Sequence, residues 1–299
     1  MKTINKKLHF HFAIYTIFLT FCFTADLLWG ESKSIIWTQE QLKKEIKVRY
    51  KYEEWRPKIK GIIQGVAISR KTLEELKFML NVWEKDDYRI LTMKGVPNPM
   101  VGIRKCWAEN KDELEVTMVV GHTCDDMKKY LFSQFLGPQN VPQMVRKSNY
   151  DQEIGDFCRR TPGEEEGTFS IIYFIRNNVV IIMRALGCHQ IKLRDMAKKV
   201  DCLLIENGTV SSYSCLKDIP YVKLARNQKP LKLGMSMFLI SPDKKLRYFW
   251  KLTGGGVEND SEGNFVYYAG DLGKQTITVT AVNEHGLQYS DTIKIDVER

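Results

Sequence analysis

The stretch from Thr276 to Val282 reads TITVTAV, and no other segment constrains the fold as tightly. Ile277, Val279 and Ala281 fall on one face and Thr276, Thr278 and Thr280 on the other, the period of two that marks a half-buried strand. After a turn at His285-Gly286, Ile293, Ile295 and Val297 repeat the pattern. Each strand has one apolar face to bury. A second sheet carrying Tyr248, Trp250, Val266 and Tyr268 is the expected cover. Residues 229–299 therefore read as a β-sandwich with Tyr248, Trp250, Tyr268, Ile277 and Val279 in its core.

The same residues carry a resemblance. Tyr248 and Trp250 on one strand, the Gly254-Gly255-Gly256 turn, the Tyr267-Tyr268 strand, the corner from Ala269 to Gly273 and the hairpin around Asn283-Glu284-His285-Gly286 are similar to the PKD type of immunoglobulin-like sandwich. That resemblance implies an exported bacterial protein. PKD modules often have an Asp-rich stretch before the Tyr-x-Trp strand, but here only Asp243 stands there, so calcium binding is not implied.

With 299 residues the chain has room for two domains, and its 43% hydrophobic content is that of a globular protein. Lys2, Lys6 and Lys7 precede an apolar run from Phe12 to Ala25, the pattern of a secretory signal over residues 1–30. The run is short for a membrane span, so a cleaved signal is preferred to an uncleaved anchor, the one route by which a membrane would be engaged. The expected location is secreted, periplasmic or cell-surface. Beyond the signal stand Cys106, Cys124, Cys158, Cys188, Cys202 and Cys215, an even set that in an exported chain reads as disulfides, with Cys202–Cys215 the favoured pair. The net charge of +9 is modest and suits a solvated surface or an anionic envelope equally.

Residues 101–220 read as an α+β domain of two strand-strand-helix units. Val101–Ala108 and Leu114–Val120 form one hairpin, followed by a helix from Cys124 to Leu136 with Thr123 as cap and Gly137-Pro138 as stop. Phe169–Ile175 and Val179–Ala185 form the other around Asn177-Asn178, a pair suited to a type I′ turn, followed by a helix from Ile191 to Ile205 closed by Asn207-Gly208. The two units predict a four-stranded antiparallel sheet with helices. In the first hairpin Glu113, Glu115 and Thr117 make one face wet. The second is apolar on both faces, so something else must cover it: the amphipathic stretch Thr72–Trp83, or a second copy of the chain. Residues 31–100 form a basic segment with helical character. Within it Ile46, Val48, Tyr50 and Tyr52 alternate with Lys47, Arg49 and Lys51, which reads as a guarded edge strand or, functionally, as a strip for an anionic polymer or membrane.

Few residues suggest chemistry. Gly121-His122-Thr123-Cys124 and Gly187-Cys188-His189 place two His and two Cys at the strand-to-helix junctions, but without a zinc-finger spacing; surface histidines and disulfide cysteines are the preferred reading. Asp125-Asp126 suits a helix start, and Glu164-Glu165-Glu166 sits in the turn at Thr161-Pro162-Gly163. Asn207-Gly208-Thr209 and Asn259-Asp260-Ser261 match glycosylation sequons. No phosphate loop, nucleotide fingerprint or metalloprotease motif is present. The segments IGDFC, YFIRNNVVIIMRA and LRDMAKKVDCLL resemble modules of exported bacterial proteins and bring no activity with them. Neither catalytic residue, cofactor nor metal is expected, and no nucleic-acid partner. The preferred reading is a non-catalytic binding protein for a protein or polysaccharide ligand. Its rivals are a dimeric sensor or assembly component of the envelope, and a hydrolase or its accessory subunit.

Overall fold

The structure, a computed structural model, describes residues 38–67, 85–109, 112–136, 149–150, 152–160, 170–186, 193–227 and 229–299. The signal, the Thr72–Trp83 stretch, Gly137-Pro138, the turn from Thr161 to Glu166, and Cys188 and His189 lie outside them. Two units divide the chain after Leu42. The first is described only through residues 38–42, where the Gln41 amide donates to Thr38 Oγ1 and the Thr38 amide to Gln41 Oε1. That reciprocal pair is a capping box. It opens helix α1, Gln39–Arg49.

From Lys43 onward the chain is one unit containing three sheets. The largest is antiparallel and has seven strands rather than four. Its strands are β1 (Lys85–Leu91), β2 (Met100–Glu109), β3 (Asp112–Val120), β4 (Asn149–Tyr150), β5 (Phe157–Arg160), β6 (Ser170–Arg176) and β7 (Val179–Leu186), in the order β1-β2-β3-β7-β6-β5-β4. The two expected hairpins form its centre. β1, β4 and β5, whose sequences are too polar or too short to stand out, extend it on both sides.

Helices α2 (Cys124–Phe135) and α3 (Leu193–Glu206) follow the two hairpins and lie on opposite faces of the sheet. Ile172 and Phe174 share a core with Leu193, Met196, Val200 and Leu204 of α3, whereas Tyr173, pointing the other way, meets Phe135 of α2 edge-on at 5.7 Å between ring centroids. Both apolar faces of the second hairpin are thus covered from within the chain. Helix α2 begins as its sequence requires, with the Asp126 amide donating to Thr123 Oγ1 at 3.1 Å.

Several local expectations are corrected. Residues 46–49 belong to α1 and not to a strand: Ile46 and Tyr50 are buried while Val48 is 71% exposed, a spacing of four that a helix satisfies and a strand face does not. Asn177 alone takes a positive φ, +49°, so the Asn177-Asn178 turn is not type I′, and it is fully buried. The Asn178 amide nitrogen donates to the carbonyls of Ile63 and Gly121, tying the turn to its cover. The face of β3 expected to be wet buries Glu115, which is bracketed by Arg104 and Arg184.

A buried ionic clamp holds the same end of the sheet. Arg176 donates through Nε and Nη2 to the two oxygens of Asp201 at 2.8 and 2.6 Å, and through Nη1 to Asp156 at 2.8 Å. The spare carboxylate capacity accepts the backbone amides of Gly155 and Asn177. Every charge is therefore matched by a directed bond, the condition under which a buried network is tolerated.

The C-terminal part is a sandwich. One sheet orders β10 (Arg247–Leu252), β13 (Gly273–Val282), β14 (Gln288–Glu298) and β8 (Leu231–Lys232); the other orders β11 (Gly256–Asn259), β12 (Phe265–Tyr268) and β9 (Ser236–Ile240). Ile277, Val279, Ile293, Ile295 and Val297 point inward as expected. The core also takes in Val222 and Leu224, upstream of residue 229. Two corrections apply. The Tyr248/Trp250 strand pairs with β13 in the same sheet and packs on the core only in part. On β12 it is Tyr267 that is fully buried, while Tyr268, the expected core residue, is 40% exposed. The Tyr267 hydroxyl donates to Gly254 O, and the neighbouring Gly255, at φ +74°, leaves room for that ring where any Cβ would collide with it.

Sandwich and large sheet share one core. Val282 and Leu287 pack with Val101, Ile103, Met118 and Val120. The Gln288 amide donates to the Tyr213 hydroxyl, Asn283 Nδ2 to Asp218 O, and the Gly65 amide to His285 O.

Candidate ligand-binding site

Where α1 ends and the chain crosses over α2, Tyr50, Tyr52, Trp55, Phe132, Phe135 and Phe157 gather around a shallow dimple, lined also by Ile46, Lys128 and Leu131. The inner rings are packing: Tyr50, Phe135 and Phe157 are buried, with centroids 5.1 to 6.0 Å apart, the tilted and edge-on separations that aromatic clusters favour. The outer rings are half-exposed. Tyr52 lies 4.7 Å from Phe132 and Trp55 lies 5.5 Å from Phe157.

Cations collect on this rim. The Lys128 ammonium stands 4.4 Å from the centre of the Tyr52 ring and 5.4 Å from that of Trp55, within cation–π range of both. Helix α2 places it there one turn after Cys124. Its hydrogen bond goes to Trp55 O, that of Arg56 to the carbonyls of Glu53 and Trp55, and that of Lys58 Nζ to Gln152 O. Carbonyl oxygens satisfy these donors, and the Glu53 and Asp125 carboxylates offset part of the positive charge. Burial, and after it the nearby Arg56 guanidinium, pull the Lys128 ammonium below its ordinary value. Burial, then the Glu53 and Asp125 carboxylates, raise the Tyr52 phenol. The indole N–H of Trp55 is buried without a hydrogen-bond partner among the described residues.

The residues singled out for chemistry are scattered. His122 is half-buried: it sits in the seam beneath the sandwich, stacked on Tyr213 at 3.8 Å, with Gln288 Nε2 against its Nε2 at 3.4 Å. Cys124 opens α2, where burial, then Asp156 and Asp125, push its thiol up to about 12. Asp125 and Asp126 occupy the first turn of α2. Among the described residues no three His, Cys, Asp or Glu side chains cluster as metal ligands.

The expected disulfides are absent among the described cysteines, Cys106, Cys124, Cys158, Cys202 and Cys215. Pleating gives the reason for one pair. Cys158 lies in the core under α3, while Cys106 sits in register with Glu115 on the opposite face of the sheet. The favoured partners Cys202 and Cys215 are both exposed, and Cys215 Sγ contacts the hydroxyls of Ser211 and Ser212.

Compared with known families and with curated proteins, the chain matches no family model and no curated sequence.

Proposed function

We propose that this chain is an exported bacterial protein of non-catalytic binding type, acting at the cell surface, in the periplasm or outside the cell. In this reading residues 1–30 are its secretory signal. The C-terminal sandwich is a PKD-like module, and the two strand-strand-helix units form the ligand-bearing domain. The contact surface is the aromatic and cationic rim formed by Tyr52, Trp55, Phe132, Lys128 and Arg56. What supports this reading is the Lys128 ammonium held over the partly exposed Tyr52 and Trp55 rings, with Arg56 exposed beside them. The ligand is a protein or a polysaccharide. The sandwich, sharing a core with the sheet, serves as a rigid spacer or second docking surface.

Biolayer interferometry against a panel of soluble envelope polysaccharides and extracellular proteins tests the reading. We expect at least one ligand to be held by the wild type and lost by Trp55→Ala, with the circular dichroism of the variant unchanged. If every ligand held by the wild type is held equally by Trp55→Ala, the rim is not the contact surface.

A further inference from the structure

We propose that Gln288, His122 and Pro99 form a latch that ties the sandwich's terminal hairpin to the large sheet while His122 is neutral, and loosens it when His122 takes up a proton. The three come from different elements. Gln288 is the first residue of β14, Pro99 stands immediately before β2, and His122 lies between β3 and α2. The buried Gln288 side chain places its amide nitrogen 2.5 Å from Pro99 O and 3.4 Å from His122 Nε2. Only a donor can stand that close to a carbonyl oxygen, which fixes which end of the amide is the nitrogen. His122 therefore accepts at Nε2 and carries its proton on Nδ1.

Protonation puts a second N–H on the imidazole, at Nε2, where it faces the N–H of the amide. Turning the amide over brings Oε1 to the imidazolium and sets the same oxygen against Pro99 O. Neither orientation serves a carbonyl and an imidazolium together, so one of the two contacts breaks. The charge itself is tolerated. The Tyr213 ring, stacked at 3.8 Å, and the Asp126 carboxylate, whose Oδ2 is buried without a partner among the described residues, both favour a cation. Of the groups facing His122, Asp126 comes from α2, and Tyr213 opens the 3₁₀ turn Tyr213–Cys215, its phenol pushed up to about 12 and so neutral throughout. Gln288 and Pro99 carry no charge, and His285 of the same hairpin turns to Gly65 O and Glu284 instead. Burial, opposed in part by Asp126, holds the His122 imidazole below its ordinary 6.5. The latch is thus closed above about pH 6.5 and opens as the pH falls through the folded value.

Hydrogen exchange of the intact chain, read by mass spectrometry from about pH 8 to about pH 4.5 and corrected for the intrinsic pH dependence of exchange, tests the latch. The Gln288 amide, bonded to the Tyr213 hydroxyl, and the Asn283 amide, bonded to Leu287 O, report on the hairpin, while residues 293–297 report on the sandwich itself. We expect peptides over 283–289 to lose protection by about tenfold in acid while those over 293–297 keep theirs. His122→Gln, neutral over this whole range, should hold the hairpin's protection constant. Gln288→Met, which has no amide to bridge Pro99 and His122, should leave the hairpin loose at neutral pH and insensitive to acid, and gives the test should His122→Gln disturb the fold. Wild-type protection unchanged down to about pH 4.5, an equal loss throughout the sandwich, or the same acid response in either folded variant would overturn the latch.

Discussion

Gly286 lies against Val120 so closely that a Cβ built on the glycine would stand 2.6 Å from Val120 Cγ2. The terminal hairpin of the sandwich is thereby seated on the large sheet at its third strand. Only a residue without a side chain, and able to hold φ at +74°, fits there. Gly286→Ala should lower the stability of the whole chain by about 1–3 kcal/mol. The fragment 229–299 should unfold without a cooperative transition, because it lacks Val222 and Leu224 and uncovers Val282 and Leu287. Chemical denaturation followed by circular dichroism checks both; a fragment as cooperative as the intact chain would contradict the shared core.

The Arg176 clamp should be far more sensitive than a surface pair. Arg176→Met leaves Asp156 and Asp201 buried without their counter-charge, which typically costs about 3–5 kcal/mol. Removing Arg89, whose partner Asp87 is also reached by solvent, should cost about 1 kcal/mol or less. Parallel urea titrations of the two variants give the comparison.

His122 should make part of the protein's stability depend on acid. Burial holds its imidazole below the ordinary 6.5, and the Asp126 carboxylate opposes that only in part. A histidine with a depressed folded value binds protons more readily when unfolded. Its contribution is complete above about pH 6.5 and is lost as the pH falls through the folded value. The neutral ring can accept from Gln288 at Nε2, a role the protonated ring loses. Thermal melts from pH 8 to pH 5 should show a smaller acid loss for His122→Gln than for the wild type.

The cysteines should separate by burial. In the native state Cys202 and Cys215 react with a thiol reagent, whereas Cys158, fully buried, reacts only after denaturation. Hydrogen bonds from Ser212 and Ser211 hold the Cys215 thiol below its ordinary value, so Cys215 should label ahead of Cys202 at neutral pH. Cys124, with its thiol at about 12, should label slowly. Timed alkylation with peptide mass mapping resolves the order.

How far the sequence reveals this architecture depends on the range over which each feature is decided. Thr123 and Asn207-Gly208 mark helix ends by local bonds, and both helices were legible. The alternation of Ile277, Val279 and Ala281 fixed an inward face correctly. In Phe265-Val266-Tyr267-Tyr268 every residue is apolar or aromatic, so parity alone could not choose between Tyr267 and Tyr268. Over Ile46–Tyr52 a period of two and a spacing of four select the same Ile46 and Tyr50, and the strand reading failed there. The candidate site was visible only as the basic strip around Ile46–Tyr52. Lys128 and Phe157, which complete it, come from elements more than seventy residues downstream, and no local pattern joins them to Trp55.

Limited acetylation of lysines, read by mass spectrometry with and without a ligand drawn from the panel, tests most directly whether the rim around Trp55 is the contact surface. Bound ligand should slow modification of Lys128 and Lys58 while Lys251 and Lys294, exposed on the sandwich, react as before. Protection of Lys251 and Lys294 with Lys128 and Lys58 unchanged would contradict it.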